Sequence, residues 1–290
     1  MSEVGYYRPQ GLDEAIAFLG SRGQAVRILA GGTDMMIDMR TGTLAADCLC
    51  DISRLPDLKR IEMIDDRLEI GAAVTMTDLS GSDTIARFAP ALKKAAAQFA
   101  GNQIRNVATI GGNVAHCSPC GDTVPPLFIH DAKAIIRSAA GERTVTIADM
   151  AGGPYHCTLH PDEIITHFVL TPKDKGITFS DFQKIGRRRA LAISRLSMAV
   201  MVRQEKDQSI SFFRFALGAC TPTPHRFDRI ESLMLGKIPT EEKIWDAGKQ
   251  LSQQMLEITG RRSSAIYKEP AIIGLFVRMM YPLIGSAGRP

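Results

Sequence analysis

Two segments carry glycine pairs where a backbone could receive an anion. In Arg27-Ile28-Leu29-Ala30-Gly31-Gly32-Thr33-Asp34, an apolar strand pattern ends in paired glycines, a hydroxyl residue and a carboxylate. Glycine permits positive φ and close approach of another backbone. Successive free amides at such a bend form an anion-binding concavity. The segment reads equally as a tight strand-to-helix turn capped by Thr33 or Asp34. The run Gln103–Asn113 repeats the device, closing on Thr109-Ile110-Gly111-Gly112-Asn113, and Asp122 follows nine residues later. A carboxylate can accept both hydroxyls of a ribose diol, so two bends and an acid suit a nucleotide with two phosphates. Neither bend has the G-x-G-x-x-G spacing, and no G-x-x-x-x-G-K-[ST] run exists, which removes the Rossmann and P-loop fingerprints.

A third segment, His116-Cys117-Ser118-Pro119-Cys120, sets two thiols beside an imidazole. C-x-x-C with a neighbouring His admits a metal reading for Cys117 and Cys120, with Cys48, Cys50, His156 or Cys157 as further ligands. Structural thiols and a redox dithiol are the other two readings. Six cysteines in 290 residues do not make a disulfide framework. The run Arg187-Arg188-Arg189 reads as a solvated turn or as a cationic contact for an acidic partner or a nicotinamide phosphate. Trp245 reads as core.

These segments need a scaffold. From the N-terminus to about residue 172, short strand patterns alternate with short helices. Leu12–Leu19 reads as an amphipathic helix and Pro90–Phe99 as a helix. Val26–Ala30, Cys48–Ile52, Arg60–Ile64, Leu68–Ile70 and Glu163–Leu170 read as strands, and Ala134–Arg137 with Thr144–Ile147 as a hairpin about Gly141. Beyond, Phe179–Ile185 reads as a strand, and Ile193–Val202 and Ile210–Leu217 as strands with a half-buried period. His225–Leu235, Thr240–Ile258 and Pro270–Ile284 read as helices. The fold class is α+β, with domains at 1–174 and 175–290 and a boundary near 172–177; the second domain is a sheet covered on one face. A net charge of +4 is too small and scattered for a nucleic-acid or anionic-membrane partner. No apolar run reaches the ~18 residues of a membrane span, and the polar start MSEVGYYRPQ lacks a signal-peptide layout. The expected location is the cytoplasm.

Leu29–Met36 (LAGGTDMM), Gln103–Asn113 (QIRNVATIGGN) with Asp122, and Lys184–Ser194 (KIGRRRALAIS) together resemble the FAD-binding (medium) subunit of the molybdenum hydroxylases, the xanthine dehydrogenase and carbon monoxide dehydrogenase family. The resemblance spans nearly the whole chain, including Pro222–Arg226 (PTPHR), and is not specific to one substrate. It implies an N-terminal FAD domain of two α/β subdomains and a smaller α+β C-terminal domain. It also implies a cofactor site: Arg27, Ile28, Leu29, Ala30, Gly31, Gly32, Thr33 and Asp34 at the pyrophosphate, with Thr109, Ile110, Gly111, Gly112 and Asn113 wrapping the dinucleotide. Asp122 and Lys184 stand at positions that contact FAD, Phe99 at that of an aromatic near the isoalloxazine, and Ile165 at that of a backbone contact. Core packing is the alternative for Phe99, and a solvated strand end for Lys184. By the same resemblance the molybdenum cofactor lies on a large subunit and 2Fe-2S clusters on a small one, in a dimer of heterotrimers. FAD would take electrons from the clusters and pass them to NAD⁺ or another acceptor; no side chain need be catalytic, because the flavin carries the chemistry. One branch, the 4-hydroxybenzoyl-CoA reductases, inserts a cysteine-bearing loop after GGN to hold a 4Fe-4S cluster. Here the position is kept without the long loop or its four cysteines. A self-sufficient flavin oxidoreductase and a nucleotide-binding module without turnover are the rival readings.

Overall fold

The computed structural model describes residues 4–171, 176–188 and 191–284. At the N-terminus, Cys48–Asp51 lies between Gly5–Tyr7 and Val26–Leu29 in a parallel three-stranded sheet. Parallel neighbours need a crossover. The first is the helix Leu12–Arg22, whose Leu12, Ala15, Ile16 and Leu19 recur at helical spacing and pack with Val26, Cys50 and Leu55. The helix stops at Gly23, where φ turns to +55°. Val26–Leu29 then delivers the chain into the first glycine pair and the short helix Met35–Thr41.

A five-stranded antiparallel sheet follows, in the spatial order Ile61–Ile64, Arg67–Gly71, Ile164–Leu170, Lys133–Ser138, Gly141–Thr146. Its middle strand arrives last in sequence. The intervening chain, about sixty residues, folds into short helices that include Met76–Gly81, Pro90–Ala97, Ile110–Ala115 and Val124–Ile129. They enclose a core with Leu68, Ile70, Leu92, Ile110 and Phe168. The hairpin about Gly141 is as expected, with φ +128° at that residue. A two-stranded ribbon, Ala151–Gly153 with His156–Cys157, projects beside it.

The third sheet runs Phe179–Ile185, Leu196–Gln204, Ile210–Gly218 and His225–Arg226, all antiparallel. Helices Asp228–Met234, Glu241–Thr259 and Ala265–Met280 cover one face through Leu196, Met198, Val200 and Val202. The expectation of a half-buried sheet fails on the other face. There Ala199, Met201, Ala216 and Phe182 pack against Ala91, Ala95 and Ile129, from the helices Pro90–Ala97 and Val124–Ile129 of the preceding region. Small residues meet small residues, so helix and sheet approach closely. Three other expectations shift. His225 and Arg226 form an edge strand, and the helix starts at Asp228. The last helix starts at Ala265, with Pro270 inside it. Trp245 is 41% exposed, because Ile244, Ala247, Gly248 and Leu251 hold the buried stripe of its helix. Of the expected boundary near 172–177, residues 172–175 lie outside the described residues.

Candidate functional site

The two glycine turns touch. A methyl group at Gly31 would lie 2.1 Å from the Val107 carbonyl oxygen and 2.9 Å from Ala108 Cα. Only a residue without Cβ lets the first turn close on the second segment. Gly32 has φ +69°, a conformation L side chains rarely adopt. Asp34 Oδ1 also stands 3.8 Å from Nε2 of His116, at the end of the helix Ile110–Ala115 that the second turn opens.

The turns differ in what their amides do. In the second, Ile110 N–H donates to Val74 O at 3.0 Å, Gly111 N–H to Ala72 O at 2.9 Å and Asn113 N–H to Thr109 O at 3.0 Å. Gly112 N–H donates to the Thr109 hydroxyl oxygen at 3.1 Å, capping the helix Ile110–Ala115. Its glycines serve close packing: a methyl at Gly111 would meet Ala72 O at 2.7 Å. In the first turn, the amides of Gly31, Gly32, Thr33 and Asp34 donate to no carbonyl or side chain among the described residues. Among the described residues, Thr109 N–H alone is unengaged in the second turn, so of the two turns given the anion-nest reading only the first has a run of successive free donors. Arg27, on the strand feeding that turn, keeps a buried Nε with no hydrogen-bond partner among the described residues. It alternates with the core-packed Ile28 and shares a strand face with Leu29, whose Cδ1 lies 3.0 Å from where a Gly32 methyl would sit. Unengaged amides and an unpartnered guanidinium nitrogen on one strand-turn unit fit a phosphate-bearing ligand.

Asp122 and Lys184 form the polar centre between the second and third sheets. Asn113 Oδ1 accepts from the Thr123 hydroxyl at 2.7 Å, which seats the Asp122 loop on the second turn. Asp122 is 5% exposed. Its Oδ2 accepts from Lys184 Nζ at 2.6 Å and its Oδ1 from the Ser194 hydroxyl at 2.6 Å. Burial pushes its carboxyl above the usual range, against the Lys184 ammonium and the Ser194 hydroxyl, both of which favour the charged form. Lys184 also donates to Ala192 O at 3.3 Å, so it ties its strand end to the chain ahead of Ser194. It is no solvated strand end. Ser194 is a partner that no spacing in the sequence singled out, although it lies within the KIGRRRALAIS run.

Lys184 lines a cleft of about 570 Å³, with Gln98, Ala100, Gly101, Arg105 and Leu191 among the other walls. Arg105 braces the wall by donating to Phe99 O at 2.8 Å and Ala100 O at 3.0 Å. Arg105 and Val107 are two residues apart, at most about 7 Å along the chain, so the cleft and the first glycine turn are neighbours. Phe99 is half-buried against the second-sheet core, while the flanking Gln98 and Ala100 line the cleft. Ile165 is buried at a bulge in its strand. The next residue, Thr166, accepts Ala72 N–H, and Ala72 in turn accepts Gly111 N–H. Arg188, exposed, donates to Leu191 O at 3.0 Å, and Arg189 lies outside the described residues.

The cysteines separate. Cys117 turns to the 151–157 ribbon, its Sγ 3.6 Å from Met150 O and its titration coupled to Cys157, whereas Cys120 lies near Cys220 and Lys268. Among the described residues no three His, Cys, Asp or Glu side chains converge as a metal site, so the reading of Cys117 and Cys120 as joint ligands has no third donor there.

Residues 2–173 match the model of the FAD binding domain in molybdopterin dehydrogenase, and residues 181–283 that of the CO dehydrogenase flavoprotein C-terminal domain. The chain is 37% identical over 227 residues to the xanthine dehydrogenase FAD-binding subunit of Escherichia coli O157:H7, covering 78% of this chain and 77% of that one. It is 30% identical over 240 residues to the carbon monoxide dehydrogenase medium chain of Hydrogenophaga pseudoflava, covering 82% of each. A solved carbon monoxide dehydrogenase structure from that organism superposes with a TM-score of 0.89 at 26% identity, over 98% of this chain and 99% of the other. With both family models in sequence order and the glycine turns in contact, the chain belongs to the FAD-binding medium-subunit family of the molybdenum hydroxylases.

Proposed function

We propose that the turn Gly31–Asp34 holds the diphosphate of FAD, with Arg27 offsetting its charge. In this reading Ile28, Leu29 and Ala30 form the strand that sets the turn, and the cleft beside Lys184 takes the ring system. Thr109–Asn113 act as the floor on which the first turn rests, and Asp122 with Lys184 closes the site from the C-terminal side. Phe99 contributes through its half-buried ring edge, and Ile165 through the main chain at the strand bulge. The domains are 1–174 and 175–290. The observation that carries the reading is the set of unengaged amides at Gly31–Asp34, held against Val107 by a contact only glycine permits. The bound flavin would supply two-electron and one-electron exchange, and the chain's own residues would bind, orient and shield it.

We further propose that the chain works in the cytoplasm as the electron-transfer subunit of a larger enzyme. A large subunit would carry the molybdenum cofactor and a small one the 2Fe-2S clusters, in a dimer of heterotrimers, with NAD⁺ or another acceptor as the outlet. Relatives named as FAD-binding or medium subunits of xanthine, nicotinate and carbon monoxide dehydrogenases support membership of such a complex. Among the described residues no helix is long and apolar enough to cross a membrane.

The test is flavin content. Purified wild-type chain should carry FAD by its visible absorption, and Gly32→Val should lose it while keeping its far-ultraviolet dichroism. Stoichiometric FAD in a folded Gly32→Val protein would overturn the assignment of the turn.

A further inference from the structure

We propose that Cys117 and Cys157 form a peroxide-sensitive dithiol that closes to an intramolecular disulfide, fastening the 151–157 ribbon to the end of the helix Ile110–Ala115. This goes beyond the flavin reading and does not depend on what the glycine turns bind. The C-x-x-C spacing would pair Cys117 with Cys120, but the fold gives Cys117 a different neighbour. Its main chain and its thiol both engage the ribbon. Cys117 O accepts Tyr155 N–H at 2.9 Å, and Cys117 Sγ approaches Met150 O at 3.6 Å. Met150 O also accepts Thr158 N–H at 3.0 Å, and Cys157 pairs with Ala151, the residue after Met150. Those contacts bring Cys157 and the Cys117 side chain to the same end of the ribbon, and the two thiols perturb each other's titration. Cys117 also holds φ +50°, so the chain turns sharply there to bring its side chain into the ribbon mouth.

The pair is asymmetric in the way a two-step oxidation needs. Cys117 is buried and Cys157 only partly so, which leaves Cys157 the one a small oxidant meets first. Interaction with the Cys117 thiol lowers the Cys157 thiol, against burial, with help from the Leu159 and Thr158 amides and the Arg143 guanidinium. Cys117 is raised by the same interaction and by burial. Thiolate character and exposure select the attacking sulfur. The Cys157 thiolate attacks one oxygen of hydrogen peroxide, the O–O bond breaks, and hydroxide leaves, giving a sulfenic acid. The Cys117 sulfur then attacks that sulfur. The S–S bond forms, the S–O bond breaks, and the released hydroxide takes the Cys117 proton to become water. Two thiols and one peroxide become one disulfide and two waters. Cys117 gives up only weak contacts from its thiol to Val114 O and Met150 O.

The experiment is to treat the purified full chain with stoichiometric hydrogen peroxide, alkylate the remaining thiols and map peptides without reduction. The expected result is loss of two of the six thiols, one crosslinked peptide joining Cys117 to Cys157, and full recovery with dithiothreitol. Cys120→Ser should lose the same two thiols, and Cys157→Ser should yield no crosslink. Six intact thiols, a Cys117–Cys120 link, or Cys157 carried on to sulfinic acid with Cys117 still free would each overturn the proposal. The wild-type map decides alone if the Cys157→Ser protein fails to fold.

Discussion

At Gly31 a single methyl group would have to occupy the space of the Val107 carbonyl oxygen. Gly31→Ala must therefore part the two turns, and overpacking of this kind costs about 1–3 kcal/mol. Gly32→Ala presses only on the side chains of Leu29 and Met36, which can give, but holds a left-handed φ, which costs about 1–2 kcal/mol. Denaturant titration of both variants should rank Gly31→Ala as the more damaging, and a reversed order would separate the turns in solution. Asp122 and Lys184 give a sharper test. Lys184→Met leaves a buried carboxylate without its cation and should cost about 3–5 kcal/mol. Removing both partners, as Asp122→Leu with Lys184→Met, should cost less than the two single changes summed, the sign of coupling in a double-mutant cycle. At this scale the sequence was half legible. Paired glycines announce a tight bend, and the family motifs named Asp122 and Lys184. Whether an amide is free depends on the carbonyls of Ala72 and Val74, some forty residues upstream, and the partner of Cys117 depends on a ribbon forty residues downstream. Local pattern carries neither fact.

The strands Leu196–Gln204 and Ile210–Gly218 show how a regular period can be read correctly and still mislead. Met198, Val200 and Val202 alternate with Ala199 and Met201, as a half-buried strand should, yet both sets are buried. A small residue on the second face signals a close neighbour as readily as it signals solvent. Ala199→Leu should therefore destabilise by about 1–3 kcal/mol through overpacking against Ala91 and Ala95, where a solvent-facing site would move within about 0.5 kcal/mol; thermal or urea unfolding distinguishes the two. Most strands and helices were legible because hydrophobic spacing sets them locally. The last helix was misplaced for a physical reason. Proline favours the first helical turn, yet Pro270 sits inside Ala265–Met280, five residues from its start. Pro270 withholds an amide from the Ile266 carbonyl, and Ile266 is 83% exposed, where water can reach it. Trp245 was read by residue type, whereas its helix assigns the buried stripe by phase.

Across the whole molecule, acid stability should carry the mark of Asp51, the buried end of the central N-terminal strand. Burial pushes its carboxyl up, but Ser53, Tyr6 and Arg8 outweigh that and hold it at about 2. An unfolded aspartate titrates near ~3.9, so this group adds about 2 kcal/mol of stability that is complete above about pH 4 and lost as pH falls toward about 2. Asp51→Asn should flatten the fall in unfolding free energy across that window; an unchanged slope would show that the carboxylate is not so engaged. Two family models in series, 2–173 and 181–283, describe the sequence as two pieces, but the alanine-lined seam between helices Pro90–Ala97 and Val124–Ile129 and the last sheet is as fully buried as either interior. Expressed as separate polypeptides, each half would show the solvent a flat apolar wall, with Phe182 and Met201 on one and Ile129 on the other. Such halves would find each other and dock without a covalent tether. Mixed, they should reconstitute a single cooperative melting transition, and the join in the polypeptide would prove dispensable to the architecture it spans.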